Sequence, residues 1–206
     1  MFGFFKKPIR EPLELQLKDL GILTTCIGQE CKEGVDCDTV PGGHGAFGSV
    51  TNPIPVNGPI GEIKYLGKLR ARTGFAFFFH RLGSTSGPTS NNSIDIYEVV
   101  SLDATHWATL HFDLYHPRRS NLAPEGFQLV PFYKQLGQDI ACGYGVNFCV
   151  NNFPHEIPEA LVTLYGEHPG ATLARHARGH LGNSDFRRPA QFETALRPMF
   201  SGLLAV

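Results

Sequence analysis

One stretch, Thr73 to His116, limits what this chain can fold into. It contains the apolar run Phe75-Ala76-Phe77-Phe78-Phe79, then Ser93 to Ser101, then Trp107 to His116. Each segment is rich in β-branched or aromatic residues and is bounded by turn formers, so the stretch reads as three strands of an antiparallel meander. Alternation sorts the third strand. Ala108, Leu110, Phe112 and Leu114 point one way, and Trp107, Thr109, His111, Asp113 and Tyr115 the other. In the second strand Ile94, Ile96 and Val100 share a face with Glu98, while Asp95, Tyr97 and Val99 share the opposite one. A hairpin loop over Leu102 to His106 and an apolar-on-apolar pairing predict Ile96 opposite Phe112 and Ile94 opposite Leu114. That register sets Tyr97 against His111 and Asp95 against Asp113.

Two facing aspartates are unfavourable. At roughly 5 Å their repulsion is about 3 kcal/mol at an effective dielectric near 20, against about 1 kcal/mol or less in water. If the face is covered, a proton, an arginine or a metal ion must compensate. His111, Asp113, Tyr97 and Asp95 are therefore the candidate catalytic residues. His-x-Asp on one strand face can pair as base and orienter or bind a divalent metal, so His111 and Asp113 are also candidate metal ligands. A solvated polar face is the ordinary alternative. His80, Arg81 and His116 stand near enough in sequence to join a ligand site. Arg118 and Arg119, at the end of the third strand, carry the fork geometry that holds a phosphate or carboxylate. Cys26, Cys31, Cys37 and His44 form a second, weaker metal set, because no Cys-x-x-Cys turn is present. His176 and His180 lie one helical turn apart without the glutamate of a zinc-protease helix.

The flanking segments supply helices. Pro12 to Leu20, Ile60 to Arg70, Pro158 to Tyr165, Ala171 to Leu181 and Pro189 to Arg197 show helical apolar spacing or Pro and Gly stop signals. In the second of these, Ile63, Leu66 and Leu69 are expected to face inward. Short strands are expected at Ile22 to Ile27 and Phe127 to Phe132. Asn52 to Pro59, where prolines alternate with Ile and Val, should be extended and packed on the body. Gly28 to Val50 and Gly83 to Asn92 read as loops, the second as a mobile lid. The expected fold is a single α+β domain over residues 1–206. Its antiparallel β-sheet, a central meander over about 73–116, would be packed on one side by N-terminal and C-terminal helices, with long Pro/Gly-rich loops.

Composition narrows the function classes. A formal net charge of −1 gives no global attraction to nucleic acid. Acidic residues gather over 28–40 and arginines in the last third, which offers surface for a protein partner. No apolar run approaches the ~18 residues of a membrane span. An odd count of 5 cysteines and a Met1–Lys7 start unlike a secretory leader predict a cytoplasmic protein with free thiols. No P-loop and no Gly-x-Ser-x-Gly elbow is present. The leading expectation is a small-ligand binding or accessory protein that holds an anionic group without catalysis. The alternatives are a metal-assisted hydrolase using the His/Asp/Tyr face and a protein-interaction module. The residues themselves specify no family, and whether the chain is an enzyme stays open at this stage.

Overall fold

The computed structural model describes residues 38–89, 91–130, 148 and 150–181. In chain order the elements are β1 (Ile54–Pro55), α1 (Gly58–Lys68), β2 (Leu69–Ala71), β3 (Phe77–Ser86), β4 (Ser93–Ser101), β5 (Trp107–Asp113), β6 (Phe127–Leu129), α2 (Ile157–Tyr165) and α3 (Glu167–Leu181). The main sheet has the order β1-β5-β4-β3, and β2 pairs with β6 in a separate two-stranded sheet. The chain thus combines helices with a mostly antiparallel sheet, and the expected meander is β3-β4-β5. The one parallel pairing is β1 on β5, with Ile54 opposite Phe112. β1 is the Pro-alternating segment. Its prolines are tolerated because it lies at a sheet edge, while Ile54 and Val56 are completely buried.

Both faces of the main sheet are covered. On one, Tyr65 and Leu66 of α1 pack with Phe77, Phe79, Tyr97, Val99, Leu110 and Phe112. On the other, Phe78 and Val100 pack with Ile157, Leu161, Ala177 and Leu181 of the α2–α3 pair. Helices on one side only is therefore corrected: α1 and the α2–α3 pair lie on opposite faces. Double coverage also explains why Phe77, Phe78 and Phe79 are all buried despite alternating direction. The α2–α3 crossing is close at Gly170, where an added Cβ would sit 2.6 Å from the Leu161 carbonyl oxygen.

Several expectations change. The first strand does not stop at Phe79 but runs through Ser86, so Gly83 to Ser86, expected in a lid, are laddered against β4. Ile63 is 38% exposed, and Glu62 takes the inward position. The helices expected at 158–165 and 171–181 are present as α2 and α3, the latter starting one turn earlier. The elements expected at 12–20, 22–27 and 189–197 lie outside the described residues.

The meander register is also corrected. Tyr97 pairs with Leu110, Ile96 with His111, Asp95 with Phe112 and Ile94 with Asp113, one residue from the expected alignment. The expectation assumed one buried face. With both faces buried, apolar matching loses its power to select the register, and the slip places Asp95 and Tyr97 on the α1 face with Glu98, His111 and Asp113 on the other.

Candidate functional site

The α1 face of the sheet carries a buried polar cluster among aromatic rings. Tyr97 sits between Phe79 and Phe112, each ring edge-on at 5.9 and 5.5 Å. Its hydroxyl donates to Glu62 Oε2 at 2.9 Å. Glu62 is 1% exposed, and among the described residues no donor meets its other oxygen, Oε1. Asp95, one step along the same strand face, accepts from Arg81 Nε at 2.7 Å, Arg81 Nη2 at 2.8 Å and Ser84 Oγ at 2.7 Å. Arg81 Nη2 also donates to Ser84 Oγ at 2.7 Å.

Local structure explains how these groups meet. α1 turns Gly58, Gly61, Glu62, Tyr65 and Leu66 inward, a stripe at helical spacing with Glu62 in its middle. A Cβ at Gly61 would come within 2.6 Å of Asn57 Oδ1, so the Asn57 side chain would have to shift. In β3 the ladder is interrupted between Arg81 and Gly83. This bulge absorbs Leu82 and brings Arg81 and Ser84, three residues apart, onto the same carboxylate. Without it, strand alternation would send them to opposite faces.

The cluster's charge follows from burial. Removal from water, and then the nearby Asp95 charge, push the Glu62 carboxyl up to about 9, so it is a neutral acid at neutral pH. The Tyr97 hydroxyl is raised above its ordinary value by burial and by Glu62, and stays a donor. Arg81 is held more firmly charged by its hydrogen bonds to Asp95. The inner part is therefore an ion pair, Arg81–Asp95, beside a protonated glutamic acid. Arg81 is also the outlet to solvent: its side chain is 39% exposed against 7% for Asp95.

The structure does not bring the four expected residues together. His111 and Asp113 lie on the face away from Tyr97 and Asp95. The His111 ring donates from Nδ1 to the Gly48 carbonyl at 3.1 Å, and burial lowers its pKa while that bond acts the other way. Asp113 is buried with Oδ2 3.4 Å from His116 Nε2 and Oδ1 accepting from the Tyr115 backbone N–H. His80 is on the same side as His111, its Nδ1 donating to the Phe148 carbonyl at 2.7 Å and its ring stacked on Phe153. Arg119 is buried and donates to Asn57 Oδ1 at 3.1 Å, while Arg118 is half-buried. Of the ligand candidates, Arg81 alone joins the Tyr97–Asp95 group.

Among the described residues no group of three or more His, Cys, Asp or Glu side chains could hold a metal ion. His44 lies in an exposed turn, and Cys26, Cys31 and Cys37 are outside the described residues. His176 and His180 are exposed on α3. Sequence reasoning missed Glu62 and Ser84. A signal for Glu62 was present: Tyr65, Leu66 and Leu69 place position 62, three, four and seven residues earlier, on their own stripe. Ser84 had none, because a bulge inside a Ser/Thr/Gly stretch leaves no periodic trace.

Comparison with protein-family models, curated proteins and solved structures found no match. Among the described residues no helix is long and apolar enough to cross a membrane.

Proposed function

We propose that the chain is a small-ligand binding protein that takes an anionic group at the Arg81–Ser84 end of β3, without chemistry on it. The observation that supports this reading is the state of Arg81. It lies on a sheet-edge strand, is oriented by two hydrogen bonds to a buried carboxylate, and is still 39% exposed. A guanidinium held in this way has lost much of its rotamer entropy before a carboxylate or sulfate arrives, which lowers the cost of binding. Ser84 helps to hold the guanidinium in place, accepting from Arg81 Nη2 while its own hydroxyl donates to Asp95. The test is a titration with sulfate and acetate, read at the Arg81 side-chain N–H resonances. Binding at Arg81 that is lost in Arg81→Gln and kept in Arg118→Gln supports the reading. No perturbation at Arg81 by either anion overturns it.

One observation favours a protein-contact reading instead. Ile60 and Ile63, one turn apart on α1, are 49% and 38% exposed. If α1 meets a second copy of the chain through them, Ile60→Asp with Ile63→Asp would abolish concentration-dependent association. A wild-type chain that sediments as one species at every concentration would count against it.

A further inference from the structure

We propose that Glu62 gates the anion site at Arg81: the site accepts an anion only while the buried carboxyl of Glu62 carries a proton. This rests on the binding reading above and adds its regulation. The argument is first geometric. Glu62 and Asp95 are 1% and 5% exposed, and the only described cation among them is Arg81, bound to Asp95 through Nε and Nη2. Among the described residues, the charged and titratable groups acting on Glu62 are Asp95 and Tyr97 from β4 and Arg81 from β3. From α1 itself Tyr65 is next along the stripe, with its hydroxyl turned away to the Leu122 carbonyl at 2.6 Å. The residues that β5 and β1 give to the core on this face, Leu110, Phe112 and Ile54, carry no charge.

With Glu62 protonated, the cluster of Arg81, Asp95, Glu62 and Tyr97 is electrically neutral. With Glu62 ionised, it holds two carboxylates against one guanidinium in an apolar wall, so the field at the exposed edge of Arg81 becomes repulsive to an anion. The ionisation of Glu62 at about 9 places the change within reach of a solution experiment. By linkage the same coupling works in reverse: an anion on Arg81 raises the proton affinity of Glu62. Above neutral pH each binding event therefore takes up a fraction of a proton from solvent, and that proton comes to rest on Glu62.

Sulfate is the probe, because it does not titrate in this range. Its affinity for the full chain should be level near neutrality and fall about tenfold from roughly pH 8 to pH 10, in step with the loss of the protonated fraction of a carboxyl that titrates at about 9. Glu62→Gln, which cannot ionise, should flatten that profile. Calorimetry of the wild type near pH 9 in two buffers of different ionisation enthalpy gives the proton count directly, and stands even if the variant does not fold. Uptake of up to about half a proton per sulfate is expected. Sulfate binding without proton uptake, or a profile that falls equally in Glu62→Gln, overturns the gate and leaves the binding reading standing. No sulfate binding at any pH overturns both.

Discussion

The two faces of the main sheet each bury a glutamate, and they treat it differently. Glu98, completely buried on the α2–α3 side, accepts a hydrogen bond from the Trp107 indole N–H at 2.7 Å. Glu62 on the α1 side accepts from the Tyr97 hydroxyl, and among the described residues no donor meets its Oε1. Glu98 lies across the ladder from His80, whereas the charge in view of Glu62 that matters most is another carboxylate, Asp95. A buried carboxyl beside a carboxylate keeps its proton. The same residue type is thus bound by the Trp107 indole on one face of the sheet, and on the other, carried by α1, it holds a proton.

The contrast can be broken by pH. The folded pKa of Glu62 lies above that of the unfolded chain, so the folded state binds more protons between about pH 4.5 and 9. Stability is then greatest below the unfolded value and is lost as pH rises through that window, by at most about 1.4 kcal/mol per pH unit for this group. Glu62→Gln removes the loss. At about pH 8 it should be more stable than the wild type by up to roughly 5 kcal/mol, and near pH 4.5 about equal to it, as read by urea unfolding. Equal stability at both pH values would contradict the assignment.

A second test presses on the opposite face. Gly170→Ala should cost about 1–3 kcal/mol, because its Cβ would meet backbone atoms of α2, including the Val162 Cα at 2.8 Å. Its thermal shift should be independent of pH, since no carboxyl is disturbed. Smaller effects sharpen the comparison. Tyr97→Phe removes the one donor to Glu62 and should destabilise by about 1–2 kcal/mol. It should also raise the Glu62 pKa, since that bond lowers it. Least of all, Arg178→Ala, which breaks an exposed 2.8 Å pair with Glu159, should change stability by about 0.5 kcal/mol or less.

How much of this was legible in the sequence depended on whether the signal was local. The three strands of the meander were readable because their apolar density exceeds that of any neighbouring segment. α2 was readable from the Leu161 spacing and from Gly166, which takes a positive φ of 77° at its C-terminal cap. The extension of β3 was not readable. Gly83, Ser84 and Thr85 have loop composition, and it is pairing with Ile96, Asp95 and Ile94 that makes them strand. The register failed for a related reason. Ile94, Ile96 and Val100 looked like the single core face, yet Tyr97 and Val99 are equally buried on the other. Asp95 was singled out because it was expected to face Asp113, but its partner across the ladder is Phe112. Its compensation is an arginine, Arg81, expected from the sequence only among the possible ligand residues.

The most direct test of the account is the ionisation of Glu62 itself, followed by the side-chain carboxyl carbon resonance in a pH titration of the folded chain. The account expects that resonance to keep its neutral-acid position through neutrality and to move near pH 9. Movement near the ordinary glutamate value of about 4.3 would contradict it.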